Sequence, residues 1–460
     1  MFELKGLQSF PGVSTGDQLH SYADDRTGER SVTISYELMH HVSPCEMNGC
    51  RKSCRTRLPL AISGRRALAV ISVMAIACLP FTATARTWHV PEDAPTIQAG
   101  IDSAGVGDDV LVAPGVYREH EIGMKAGVWI HSEQGPAATT IDAESAGRGL
   151  VCLGAQQAAI LEGFEIRHGR GEWEVGNGSG GGVWCVDSQL LIRNCVISAC
   201  IALNEGGGLC IYNSDVDVEA CRVEACSAGY GGGGIYTWCW PGQVRITDCE
   251  IEGNEAGSGG GGIAALAEQL AVVTSVVSWN VAAWGAAGGV GCYSPELVIQ
   301  DCLVTHNSNF VYGGGALAVD TSSGMISGCT VANNVGVPSP PCGISLISSD
   351  ITVERTIIAN HGGRGLGCSN SNVTVLCCDL YANTDGDDLC GTDLGGNFSA
   401  DPLFCDAENG DYTLDVCSPC LPGNHPDGVG CGLIGALGQG CGATAVEETS
   451  WGRIKGLYWR

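Results

Sequence analysis

Apolar and polar residues alternate in short runs that return about every 27 residues through the middle of the chain. Leu190 and Ile192 are followed by Ile197, Val216 and Val218 by Val223, and Val244 and Ile246 by Ile251. Leu270 and Val272 precede Val277, and Leu297 and Ile299 precede Val304. Period-two alternation predicts strands, and the break before the last member of each set predicts a bend between two of them. A small residue marks that bend: Cys195, Cys221, Cys249, Ser275, Cys302 and Cys329, in steps of 26, 28, 26, 27 and 27. Glycine clusters recur in phase with it, at Gly180–Gly182, Gly206–Gly208, Gly231–Gly234, Gly259–Gly262, Gly288–Gly289 and Gly313–Gly315. A third strand follows each cluster, as in Val183 with Cys185 or Leu209 with Ile211.

A repeat of this size cannot bury its own apolar face, so the coils must stack. The pattern predicts an all-β right-handed parallel β-helix: a single-stranded solenoid with three short strands per coil and 26–28 residues per repeat. Ten or eleven coils fit between residues 106 and 400. Leucine-rich and helical repeats are excluded, because neither a regular Leu and Asn pattern nor spacing of three and four appears. Five residues after the marker stand Asn254, Asn280, Asn307 and Asn334, with Cys200 and Cys226 in the two earlier coils. Stacked about 4.8 Å apart, such amides can hydrogen-bond along the stack.

That same spacing lies within reach of a disulfide. Cys195 with Cys221, Cys200 with Cys226 and Cys302 with Cys329 can therefore either bridge or serve as small buried residues. The chain has 26 Cys, 69 Gly, 44% hydrophobic and 16% charged residues, a composition that excludes a disordered chain. Arg65-Arg66, the apolar run Ala67–Phe81 and Ala83-Thr84-Ala85 read as a secretory signal cleaved after Ala85, too short to span a membrane. Ala75-Ile76-Ala77-Cys78 offers a lipoprotein alternative. Residues 1–63 precede that signal without repeat or alternation and read as a start placed too far upstream. His40, His41, Cys45, Cys50 and Cys54 lie there in no usual zinc spacing. The first 85 residues hold 9 basic and 7 acidic side chains out of 23 and 50, which leaves 14 against 43, net −29. Such a surface excludes nucleic acid as a partner and suits neutral glycans or calcium-rich surroundings.

The ends need covers. Thr96–Ala104 predicts a short amphipathic helix with Ile97 and Ile101 on one face, inside a cap over 86–105, and Val110 and Val112 then begin the first strand. Residues 401–442 form a Cys-rich closing segment in which Cys405, Cys417, Cys420, Cys431 and Cys441 are expected to be stapled, with Cys390 the nearest extra partner. In residues 443–460, Trp451, Ile454, Leu457 and Tyr458 fall at helical spacing, consistent with a sorting tail or a small packed helix. The opening TIQAGID…GDDVLVAPGVY and the closing DPLF…GDYTL…SPC resemble the pectin-lyase-like superfamily of right-handed β-helix proteins, in its secreted bacterial form, over about residues 87–437. The resemblance implies the fold. It leaves activity open, because that superfamily includes lyases, hydrolases, esterases, epimerases and non-catalytic surface proteins.

Catalytic signatures of those relatives are isolated here. Arg453-Ile454-Lys455 lies outside the solenoid, Asp108-Asp109 stands without companion motifs, and Gly115-Val116-Tyr117-Arg118-Glu119 belongs to the first coil. Asp215, Asp217 and Glu219 alternate along one strand as a solvated face. Asp385, Asp387 and Asp388, within Asn383–Asp388, are the candidate Ca2+ ligands. Alternation places Trp184 and Tyr236 in one outward column and Tyr212, Trp238 and Tyr293 in its neighbour, a stacking platform for sugar rings. His168, Arg170, Glu172 and Trp173, in an irregular insertion, are placed to overhang it. The reading is a secreted or surface-attached, non-catalytic carbohydrate or surface binder. The alternative is a polysaccharide lyase or glycoside hydrolase whose site is assembled from several coils.

Overall fold

The computed structural model describes residues 85–172, 176–310, 314–336 and 342–442. The segment expected to be a signal, up to residue 84, residues 1–63, Cys78, Trp173 and the tail from 443 onward lie outside them. The chain forms a right-handed parallel β-helix with minimal helix content. One coil shows the plan: Val183–Val186, Gln189–Arg193, Val196–Ser198 and Ile201–Ala202 follow one another. The first two strand types join a sheet of 21 strands, the third forms a flank sheet of 11, and the fourth a sheet of six. That fourth strand, only two residues long, shows no alternation and is absent from the sequence reading. All stacking is parallel and in register, so Leu190 and Ile192 lie against Val216 and Val218, and Ile197 against Val223. These inward positions make one continuous core along the axis.

Each corner turns on a residue at positive φ, such as Asp187, Asn194 and Ala199 at 49°, 49° and 50°. A small polar residue follows and solves the same problem each time: a backbone N–H at the corner has no strand partner. At the second corner the Cys195 N–H donates to Cys221 Sγ at 3.4 Å, and the Cys249 N–H to Ser275 Oγ at 3.1 Å. At the third, the Cys226 N–H donates to Asn254 Oδ1, then Asn254 to Asn280, Asn280 to Asn307 and Asn307 to Asn334. Each Asn Nδ2 also donates to a carbonyl of the preceding coil, as from Asn280 to Ile251 at 2.8 Å. A serine series absent from the sequence reading does the same at the first corner, where the Ser188 N–H donates to Ser214 Oγ and the Ser322 N–H to Ser349 Oγ.

The corner cysteines are therefore hydrogen-bonding thiols, and the three ladder bridges allowed by spacing do not form. Each Sγ–H donates to a carbonyl, as from Cys221 to Glu219 at 3.2 Å. Burial pushes the thiols of Cys221, Cys226 and Cys302 well up, which keeps them protonated. Glycine is required in the loop that leads to the next coil: Gly206 has φ 65°, and a Cβ on Gly207 would lie 2.5 Å from the carbonyl oxygens of Gly233 and Ser227.

At the N-terminus, helix Ile97–Ser103 buries Ile97 and Ile101, and Thr96 Oγ1 caps it by accepting the Ala99 N–H. Glu119 accepts the N–H groups of Ile97 and Gln98, which pins the helix to the first coil. The stack begins earlier than Val110, because Thr87–Val90 is itself a strand paired with Asp109–Val112. The closing segment folds back along the flank sheet. Tyr412 and Leu437 pack on Leu303 and Ala332, while Leu414 and Ile434 pack on Ile357 and Ala359. Cys405 pairs with Cys441, Cys377 with Cys431 and Cys368 with Cys390. The expected staples thus include Cys405, Cys431 and Cys441. Cys417 and Cys420 remain thiols, and Cys390 bridges to its own neighbouring coil instead of to the closing segment.

Candidate functional site

The outward side chains of the first strand type fall into two columns. One runs Trp184, Cys210, Tyr236, Ala264, Gly291, and the other Val186, Tyr212, Trp238, Leu266, Tyr293. The columns differ in exposure. Tyr236 is only 7% exposed, packed with Cys210, Ala264, Trp184 and Tyr212. Trp184 is half-buried, with the buried Arg148 guanidinium 4.5 Å from its ring centroid. Tyr236 presents no face to a ligand, which corrects its place in the platform, and Trp184 has one face taken by Arg148. Beside these columns Glu205 Oε2 accepts from Ser179 Oγ, Asn204 Nδ2 and the Tyr212 hydroxyl at 2.8–2.9 Å, which ties the neighbouring turn to Tyr212.

The second column stays open. Trp238 is 51% exposed, Leu266 is exposed, and Tyr212 and Tyr293 are half-buried. Tyr212 and Trp238 ring centroids lie 6.5 Å apart. Sequence reasoning missed Trp240. Three residues, Trp240, Pro241 and Gly242, stand opposite Glu268 alone, because the register shifts between Cys239 and Gln243. This bulge swings Trp240 out to 50% exposure with its ring 6.0 Å from that of Tyr293. The extra length was visible as the 28-residue step from Cys221 to Cys249. A continuous apolar strip results: Tyr212, Trp238, Leu266, Trp240 and Tyr293.

Beside the strip lies a shallow groove of about 470 Å³ on the second strand type, lined by Gln243, Arg245, Gln269, Glu296, Val298 and Met325. Strip and groove meet at Pro295, two residues from Tyr293, and at Gln243, which follows the bulge. Amides supply both donors and acceptors to hydroxyl-rich ligands. On the groove margin Arg245 Nη1 is 3.0 Å from Asp217 Oδ1, and Asp215 Oδ1 accepts the Gln243 N–H.

Other candidates lie elsewhere. His168 Nδ1 is 3.0 Å from Asp142 on the flank sheet, and Arg170 pairs with Glu172, so neither reaches over the strip. Asp387 accepts the N–H groups of Ala382 and Asn383 and the Asn383 Nδ2, which commits it to closing the Asn ladder. Asp385 and Asp388 are exposed beside it. Among the described residues no three His, Cys, Asp or Glu side chains are grouped as metal ligands, and no helix is long and apolar enough to cross a membrane.

Residues 126–312 and 233–397 match the family described as "Right handed beta helix region". The crystal structure of pectate lyase Pel9A is similar over 78% of this chain and 97% of that one, at 11% identity and a TM-score of 0.43. No curated protein matches the sequence. With matched segments that span most of the stacked coils, the chain belongs to the right-handed β-helix family.

Proposed function

We propose that the protein is exported and binds a neutral polysaccharide along the strip Tyr212–Trp238–Leu266–Trp240–Tyr293, with the adjoining groove contacting sugar hydroxyls. The observation that carries this is two half-exposed tryptophans on a rigid sheet, beside Gln243 and Gln269. Sugar C–H faces stack on aromatic rings, and successive coils present side chains about 4.8 Å apart, close to the length of one sugar unit. The net charge of −27 disfavours anionic chains. Three disulfides support folding in an oxidising compartment, in line with the leader sequence.

The test is affinity electrophoresis in gels containing neutral polysaccharides, guided by a glycan array. Trp238→Ala and Trp240→Ala should each weaken retention about fivefold, about 1 kcal/mol, without lowering the melting temperature. Unchanged retention in both variants would refute the reading. One observation favours an enzyme instead: Asp217 and Arg245 pair on the groove margin, where an acid and a base on neighbouring coils could act on a bound chain. Release of reducing or unsaturated ends by the wild type, lost in Asp217→Asn, would establish that second reading.

A further inference from the structure

The closing segment holds a group of reactive side chains that glycan binding does not use. Cys417-Ser418-Pro419-Cys420 places two thiols three positions apart, and neither belongs to the three disulfides. Cys417 is exposed, alone among the unpaired cysteines of the described residues, whereas Cys420 is fully buried. The segment between them is fixed by its backbone. The Cys417 N–H donates to Asp415 Oδ1 at 2.9 Å, and the Ser418 N–H to the Asp415 carbonyl at 2.8 Å. Ser418 Oγ donates to the Pro402 carbonyl at 2.6 Å and accepts the Cys420 N–H at 3.2 Å.

Beneath this turn lies a buried carboxyl. Cys420 Sγ is 3.3 Å from Asp379 Oδ2, and Asp379 Oδ1 accepts the Ala400 N–H. Asp379 is fully buried in the flank-sheet column that holds Ile357 and Thr330 one and two coils earlier. Packing alone would be served by another apolar residue at that place. Burial pushes the Asp379 carboxyl up to about 7, and the neighbouring charges of Asp387 and Asp401 act in the same direction. At neutral pH such a group can accept a proton and give it back.

We propose that Cys417 and Cys420 form a redox-active pair that exchanges with an external aliphatic disulfide, Cys417 attacking, Cys420 resolving and Asp379 carrying the proton. In the first step the Cys417 thiolate attacks one sulfur of the external disulfide. That S–S bond breaks, one thiolate leaves and takes a proton from water, and a mixed disulfide remains on Cys417. In the second step the Cys420 S–H proton passes to Asp379 Oδ2 while its sulfur attacks Cys417 Sγ. The mixed bond breaks and the second external thiolate leaves. The external disulfide has gained two electrons, and the dithiol has become the Cys417–Cys420 disulfide. Run backwards, the same steps deliver a disulfide. The ladder thiols are unsuited to this role, since each is buried and donates its proton to a backbone carbonyl.

The experiment treats the reduced-at-417/420 full chain with glutathione disulfide, quenches with acid, alkylates free thiols and maps the peptide that spans both cysteines by mass. The wild type should lose two hydrogens there without retaining glutathione. Cys420→Ser, a one-atom change, should accumulate a stable glutathione adduct on Cys417, and Cys417→Ser should show neither product. Asp379→Asn should form the adduct at the wild-type rate but close the internal disulfide at least about tenfold more slowly. Absence of the adduct in Cys420→Ser, or an adduct in the wild type that never resolves, would overturn the proposal. Should Asp379→Asn not fold, the Cys420→Ser trap still decides the matter.

Discussion

One member of the third-corner ladder is the wrong residue, and its effect on stability can be worked out. After Asn334 the series continues through His361 to Asn383. The Asn334 N–H donates to His361 Nδ1 at 3.2 Å, so that nitrogen must carry a lone pair and the ring must be neutral, with its proton on Nε2. Nε2 is buried without a partner, in space left by Gly343, whose missing Cβ would meet the ring. Protonation would set an N–H on Nδ1 against the N–H of Asn334 inside a dry core. Burial accordingly pushes His361 down to about 4 from an ordinary 6.5. Since the folded value is the lower one, the unfolded chain binds the proton first as pH falls. The contribution of neutral His361 is fully present above pH 6.5 and is lost progressively down to about pH 4. A displacement of this size corresponds to about 3 kcal/mol. His361→Asn removes the titration and restores an amide able to donate to the preceding coil as its neighbours do. The assay is the urea midpoint of wild type and His361→Asn at several pH values from 7 to 4. The gap between them should widen in favour of the variant as pH falls. Asp379, raised to about 7, favours folding in the opposite direction, being most stabilising below its ordinary 3.8. It contributes equally to both proteins and cancels in the difference. Parallel curves would refute the assignment of a neutral, proton-refusing His361.

Leu303→Ala should loosen the closing segment, because Leu303 is the flank-sheet side chain under Tyr412 and Leu437; about 2–3 kcal/mol of docking is expected to go. Amide exchange should then accelerate at Asp411–Asp415 and stay unchanged at Asp215–Glu219, whereas uniform acceleration would mean that the cap and the coils form one cooperative unit. Exported material should begin at Arg86 on N-terminal sequencing, and a chain that starts at Met1 or carries an acylated Cys78 would contradict export through the predicted cleavage site.

The inward face was legible because two rules act on it together: alternation sets which side chains enter, and stacking forces the same choice every coil. The Asn positions were legible for the same reason, since Asn254 to Asn334 recur at the repeat. The serine corner escaped notice because Ser188, Ser214, Ser294 and Ser322 skip the coils in which the strands run together as Ile235–Thr247 and Ile263–Val273. Free thiols could not be told from bridges by spacing, since 4.8 Å suits both; the hydrogen-bond demand of the corner N–H decides. The two aromatic columns followed from alternation, yet the burial of Tyr236 did not. Its burial comes from packing with Cys210, Ala264, Trp184 and Tyr212, and alternation says which side a residue faces but not how tightly its neighbours close over it.

The outward face carries its own signal once the solenoid is known, because nothing in the core dictates it. Along the flank sheet one outward column reads Glu165, Val196, Arg222, Glu250, then Val276, Leu303, Thr330 and Ile357. Its neighbour reads Arg167, Ser198, Glu224, Glu252, then Ser278, Thr305, Ala332 and Ala359. The switch from charge to apolar and small residues falls where the closing segment lies down, with Leu303, Ala332, Ile357 and Ala359 covered by it. The outward apolar stretch on the flank sheet thus answers to a segment that sits on it. On the large sheet Tyr212, Trp238, Leu266, Trp240 and Tyr293 form a comparable departure from a polar exterior, and the two tryptophans remain half-exposed. The chain's own segments satisfy the first stretch. The function proposed above takes the second as the surface for a ligand with flat apolar faces and hydroxyls, which makes the strip, and not the acidic turn at Asp385–Asp388, the place to test that proposal.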